Sequence, residues 1–222
     1  MAKQPTHPFI DETDQTNAIA DSQHIAAGIA LPIYQEIQLK NTVLNTDSVK
    51  RYLTRAQKIA VMPCSCRTKR KNCDHPVDNC LTLNDAANKF IDRGSAREAS
   101  VEEALNIVEE AHRAGLVPMA YIRTDTPNPQ GVNFICNCCS CSCGTLGVSL
   151  KLGKDVHLLK SIATTATDAS ACTSCGACVD RCHFDARNLA DGKLHYNKDL
   201  CFGCGLCVTA CPTKAITLIQ LL

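Results

Sequence analysis

The chain has 222 residues, a formal net charge of +1 and no tryptophan. That length suits one or two domains, and the even charge balance points to no nucleic-acid or membrane partner. Seventeen cysteines are the outlying feature, and they would mean disulfides only in an oxidising compartment.

The segment from Met1 to Asp14 has no apolar h-region and carries Asp11, Glu12 and Asp14, so a signal peptide is not expected. Residues 1–16, with Pro5 and Pro8, read as a flexible arm. Asn17 to Leu31 gives a helical signal through Ile19, Ile25 and Ile29. Its most apolar part, Ile25 to Ile33, is broken by Gly28 and Pro32 and is too short to span a bilayer. Ser48 to Ala60 reads as a helix capped by Asp47, with Val49, Tyr52, Leu53, Ala56 and Ile59 on one face. A short helix is expected over Asn84 to Arg93, with Ala87, Phe90 and Ile91 inward and Gly94 stopping it. The clearest helix is Ser100 to Ala114, with Ser100 and Glu103 as a capping box and Gly115 beyond its end. Val117 to Arg123 suits a strand, and Thr124 to Gly131 a turn-rich loop.

Nine cysteines lie among these helices, in two groups: Cys64, Cys66, Cys73 and Cys80, then Cys136, Cys138, Cys139, Cys141 and Cys143. In a tight turn, adjacent and alternating cysteines converge on a metal; on a straight strand, adjacent ones point to opposite faces. Three readings stay open. A third iron–sulfur centre leads, with Cys64 and Cys66 joined by members of the second group. A structural zinc held by Cys64, Cys66, Cys73 and Cys80 comes next, then redox-active thiols. His75 is read as a turn residue ahead of a metal ligand. Arg67, Lys69, Arg70 and Lys71 read as a solvated basic face, or as a surface steering an acidic redox partner.

The last quarter of the chain repeats one pattern. Cys172, Cys175, Cys178 and Cys182 are followed by Cys201, Cys204, Cys207 and Cys211, with Pro212 after the last. Three thiolates separated by two residues can grip three corners of a cubane, while the fourth cysteine reaches the other cluster. This assigns one [4Fe-4S] cluster to Cys172, Cys175, Cys178 and Cys211. The second goes to Cys201, Cys204, Cys207 and Cys182. Two zinc sites fit the overlapping triplets less well.

From about Asp168 to Leu222 the chain resembles bacterial-type dicluster ferredoxins, with His183 standing where a proline usually follows the fourth cysteine. From about Arg55 onward, the Pro63-Cys64-x-Cys66-Arg67 opening and the Cys136-Asn-Cys138-Cys139-x-Cys141 run extend the likeness. Together they resemble ferredoxin-like iron–sulfur proteins of anaerobes with a cysteine-rich N-terminal extension. Ser142 stands where relatives are expected to carry a further cysteine.

The fold expected is α+β. A mostly helical cysteine-rich domain over 17–162 precedes a dicluster ferredoxin domain over 163–222, with short hairpins and helices. The resemblance implies a cytoplasmic electron-transfer protein with two [4Fe-4S] clusters and a third iron–sulfur or zinc centre. Its partner would be a redox protein or an oxidoreductase complex, with no nucleic acid and no membrane span. The alternative is a redox enzyme whose N-terminal metal or thiol site acts on substrate while the two cubanes feed it electrons.

Overall fold

The computed structural model describes residues 41–123, 131–153 and 158–221. The expected arm over 1–16, the helix over 17–31 and the loop over 124–130 lie outside these residues.

Strand β1 (Asn41–Val43) leads into helix α1 (Thr46–Arg55). Asn45 caps the helix in place of Asp47, its Oδ1 accepting the Ser48 N–H at 2.9 Å. The helix stops at Arg55, short of Ala60, because Ile59–Pro63 forms strand β2. Asn84 fixes that break. Its Oδ1 accepts the Gln57 N–H at 2.8 Å, and its own N–H reaches the Lys58 carbonyl at 2.8 Å. Helix α2 (Ser65–Arg70), strand β3 (Asp78–Leu83), helix α3 (Asp85–Asp92) and strand β4 (Arg97–Glu98) follow. Helix α4 (Val101–Arg113) has its expected cap, with Ser100 Oγ accepting the Glu103 N–H at 3.0 Å. Gly115, at φ +89°, turns the chain out of it into strand β5 (Val117–Tyr121). Strand β6 (Phe134–Cys138), helix α5 (Leu146–Leu152) and strand β7 (Leu158–Leu159) complete the N-terminal part.

The expected helices between Asn45 and Arg113 are present, but a sheet organises them. Seven strands run in the order β4-β2-β3-β6-β5-β1-β7, antiparallel except for the β1–β7 pair. A domain read as mostly helical is therefore a helix-covered sheet. Its central strands β3 and β6 carry Asn79, Cys80 and Thr82, and Cys136, Asn137 and Cys138, so they show no apolar run to mark them as strands.

The pleat sorts the side chains onto two faces. On one face Val61, Leu81, Leu83, Ala120 and Ile135 pack with Val49 and Leu53 of α1 and Ala104 and Val108 of α4. On the other, Met119, Tyr121, Phe134 and Cys138 pack with Phe184, Phe202, Cys204 and Leu206. The C-terminal region is thus seated on the sheet face that carries cysteine.

That region is small and built from short pieces. Strand β8 (Ala163–Thr167) pairs antiparallel with β11 (Ile216–Gln220), joining its two ends. Helix α6 (Ala177–Asp180) and helix α7 (Leu206–Ala210) belong to the two cysteine repeats. Between them lies a hairpin of β9 (Arg187–Ala190) and β10 (Lys193–Tyr196). Its two-residue turn, Asp191-Gly192, has positive φ at both positions, the backbone that a tight hairpin requires. Phe184 and Phe202 stack with centroids 4.5 Å apart beneath it.

Candidate metal centres

All seventeen cysteines are free thiols. In the C-terminal region the backbone gathers eight of them around two cavities. The first, about 310 Å³, is lined by Cys172, Cys175, Cys178 and Cys211. The second, about 320 Å³, is lined by Cys182, Cys201, Cys204 and Cys207. Each cavity takes three sulfurs from one repeat and the fourth from the other. Glycine makes the wrapping possible: Gly176 and Gly205, both at φ +83°, open α6 and α7. At Gly203 a Cβ would lie 2.0 Å from the Ala163 carbonyl oxygen, so a side chain there would push the repeat off the β8 segment. Two sets of four thiols with curled backbones around them fit a cubane each.

The two repeats align in sequence without a gap, and one difference between them is buried. Where the second carries Ile216, 3% exposed, the first carries Arg187, also 3% exposed. The Arg187 guanidinium donates to Thr165 Oγ1 at 2.8 Å and Thr167 Oγ1 at 3.0 Å and lies over the Tyr196 ring. Its positive charge also acts on the thiols of Cys178 and Cys207, one from each cavity. Burial pushes both thiols up, and Arg187 opposes that push at both. Cys204, fully enclosed, is pushed up by burial well beyond the ordinary thiol range. Sequence reasoning passed over Arg187; comparing the two repeats position by position would have exposed it.

His183 Nε2 donates to the Gly115 carbonyl oxygen at 2.9 Å, in the turn after α4. Arg181 reaches the neighbouring Arg113 carbonyl. His112, buried in α4, sets Nε2 3.2 Å from the Cys204 carbonyl oxygen and Nδ1 3.3 Å from Thr209 Oγ1. These four contacts lock the second cavity to the C-terminal end of α4.

The nine N-terminal cysteines come together from both sequence groups, but they separate into two sets. Six form a string in which each thiol acts electrostatically on the next, in the order Cys136, Cys80, Cys64, Cys66, Cys143, Cys138. Sheet register explains half of them. Met62 faces Cys80 and Met119 faces Cys136, and the i, i+2 spacing puts Cys138 on the same face as Cys136. Within the string, the Cys66 thiol is held well below its ordinary value. The thiols of Cys143 and Cys64 and the Gly144 N–H hydrogen-bond its sulfur and bring it down to about 2, while Cys64 is pushed up by Cys66 and Cys80.

The other set is Cys73, Cys139 and Cys141, whose sulfurs all lie within 4.8 Å of one another. The four-sulfur zinc reading of Cys64, Cys66, Cys73 and Cys80 is not what the fold assembles. Cys73 contacts Cys139 instead, at 3.8 Å, because the turn after β6 points Cys138 and Cys139 to opposite sides. Burial pushes the Cys139 thiol up, but hydrogen bonds from Cys141, the Ser142 N–H, Arg67 and Cys73 outweigh it and bring the thiol below its ordinary value. Cys141 is pushed up to about 12, by burial first and by Cys73 and Cys139 next.

Arg67 divides the two sets, and it is not part of a solvated face. It is 2% exposed and donates to the Pro76 carbonyl at 2.9 Å, the Asn137 carbonyl at 2.8 Å and Asn79 Oδ1. A buried cation among so many thiols offsets the charge they gain on ionising. Arg70 likewise donates to the Ser142 carbonyl, at 2.8 Å. His75 is partly exposed and does not join the three-sulfur set.

Comparison with known families bears on the C-terminal region. Two family models described as 4Fe-4S binding domains match there, one over residues 169–185 and one over 194–217. The region is therefore an iron–sulfur module, and more narrowly a ferredoxin-type 4Fe-4S domain with the capacity for electron transfer. No curated protein matches the chain. Among the described residues, no helix is long and apolar enough to cross a membrane.

Proposed function

We propose that this protein relays electrons through two [4Fe-4S] clusters, within or to an oxidoreductase complex. Cys172, Cys175, Cys178 and Cys211 would hold one cluster, and Cys182, Cys201, Cys204 and Cys207 the other. The observation that carries this reading is the crossing of the fourth cysteine between the two cavities. Each bound cluster supplies a one-electron station whose potential follows local charge, hydrogen bonds to sulfur and exposure.

The chain's own residues set those terms differently at the two cavities. Cys175 is exposed, so the first cavity offers the edge where a redox partner can approach. The second is covered by the sheet through Phe184, Phe202 and Leu206. Arg187 lines the second cavity, and its positive charge acts on a thiol of each. The six-thiol string, with Cys138 and Cys143 in the same packed cluster as Cys204, supports a third iron–sulfur centre behind the second cavity. No three of its sulfurs lie within 4.8 Å of one another, a spread that suits several irons better than one ion.

A second reading, an enzyme fed by the two clusters, is favoured by one observation only. The Cys73, Cys139 and Cys141 set offers three sulfurs, and so leaves a fourth coordination position for a non-sulfur ligand.

Anaerobic iron and sulfide analysis with reductive titration tests the relay. Two clusters give about eight irons and two one-electron steps, and a third cluster raises the iron to about twelve. A Cys211→Ala variant should disturb the signal of the cluster that Cys172 helps to hold. A protein with about four irons, or one whose two signals both ignore Cys211→Ala, would not be the relay described here.

A further inference from the structure

The two N-terminal cysteine sets differ in the distance between their sulfurs, and that distance selects the metal. Cys73, Cys139 and Cys141 hold all three sulfurs within 4.8 Å, with Cys73 and Cys139 at 3.8 Å. A single tetrahedral ion with metal–sulfur bonds of about 2.3 Å spaces its sulfurs by about 3.8 Å. A cubane cannot do so, because each thiolate hangs from a different iron at a different corner. The chain contains its own control. Among the eight C-terminal cysteines and the six of the N-terminal string, no three sulfurs approach one another as closely.

The surroundings complete a site. Ser142, 1% exposed, sets its Oγ 3.8 Å from Cys73 Sγ and 3.7 Å from Cys141 Sγ, beside two of the three sulfurs. Three thiolates around a dication carry one net negative charge. Arg67, 2% exposed, meets it with Nη1 4.0 Å from Cys139 Sγ. The two chain segments are held together by their own hydrogen bonds: Asn72 Nδ2 donates to the Cys141 carbonyl at 3.0 Å, and Arg70 donates to the Ser142 carbonyl.

We infer that Cys73, Cys139 and Cys141 form a mononuclear site, separate from any cluster, that binds one zinc ion through three sulfurs and one oxygen. The oxygen is either the Ser142 hydroxyl or a water. The inference rests on reading the N-terminal thiols as metal ligands, and it is independent of the two C-terminal clusters.

The test uses the full chain, purified anaerobically from cells supplied with iron and zinc. Metal content is counted and the zinc X-ray absorption edge is recorded. One zinc per chain is expected, with a first shell of three sulfurs at about 2.3 Å and one oxygen at about 2.0 Å. Cys73→Ala and Cys141→Ala should each lower bound zinc at least tenfold and leave the iron count unchanged. Cys66→Ala should leave the zinc in place. An oxygen that survives Ser142→Ala is water; one that disappears is the hydroxyl.

Wild-type protein with no zinc, or zinc with four sulfurs, overturns the site, and so does zinc that persists in both alanine variants. If those variants do not fold, the wild-type absorption edge decides alone. About eight or more irons with no zinc would sink this site and leave the electron relay standing. Zinc with almost no iron would do the reverse.

Discussion

The two halves of this molecule gather cysteines by opposite means. In the C-terminal region, three ligands of each cavity lie within seven consecutive residues, Cys172 to Cys178 or Cys201 to Cys207, and glycines at positive φ curl the chain around them. In the N-terminal region the sulfurs meet only because β3 pairs with β6 and β6 with β5. Cys66 finds Cys143, and Cys73 finds Cys139, across some seventy residues of chain that the sheet closes. A locally coded site can be read from spacing and depends on its metal for cohesion. A site coded by sheet register is hidden from spacing, but its scaffold has an apolar core of its own.

The largest effect should therefore come from removing metal. Helices α6 and α7 have only four and five residues, and hairpins of four-residue strands are marginal alone in water. Stripping iron anaerobically with a chelator should abolish amide-exchange protection in both helices. Protection at Ala120 of β5 and at Leu81 and Leu83 of β3 should persist, because the core under α1 and α4 contains no metal ligand. Equal loss of protection in both regions would show that the division drawn here is wrong.

The converse change is Leu53→Ala. Leu53 is fully buried between α1 and the sheet, so truncation should cost about 2–5 kcal/mol of stability. It should leave the iron count unchanged below the lowered melting transition. Iron lost at temperatures where the variant is still folded would mean that the clusters depend on the far face of the sheet.

Arg187→Leu sharpens the comparison within the C-terminal region, by giving the first repeat an apolar residue where the second has Ile216. Reduction adds negative charge, so losing a buried cation that acts on both sulfur sets disfavours the reduced state. A hydrogen bond to a charged group is worth about 1.5–3 kcal/mol, and about 1.4 kcal/mol corresponds to 59 mV for one electron. The potentials should fall by roughly that order, read by redox titration with no change in iron. Unchanged or raised potentials would remove Arg187 from any tuning role.

How much of this was legible in the sequence follows the same division. The grouping of the C-terminal cysteines needs only spacing, and the structure places those eight around two cavities as the spacing groups them. Helix α4 announced itself through Ser100, Glu103 and an apolar stripe. The sheet did not, because Cys, Asn and Thr in β3 and β6 are buried for their position opposite other strands and carry no apolar alternation. The same lack hid the separation of Cys138 from Cys139: adjacent residues diverge to two sites only once β6 is known to end between them. Arg67 looked like one of four exposed cations, and only the fold reveals the carbonyls of Pro76 and Asn137 that satisfy it.

The smallest expected effect lies at the start of α4, far from any sulfur. Arg97 pairs with Glu103 at 2.6 Å and holds its carboxyl below the ordinary glutamate value. A lowered native pKa means that the folded chain binds this proton less readily than the unfolded one. The contribution is therefore present above about pH 4.5 and is lost as pH falls through the native value. Both partners are exposed, so the effect should be small and should fade as salt is added. Glu103→Gln should flatten that acid limb slightly in a denaturant series run from pH 3 to pH 6, while leaving the Ser100 cap intact, since the cap uses the backbone N–H of residue 103. An acid limb identical in wild type and variant would leave the cap, with no help from the ion pair, as what fixes the start of the helix on which the second cavity leans through His112.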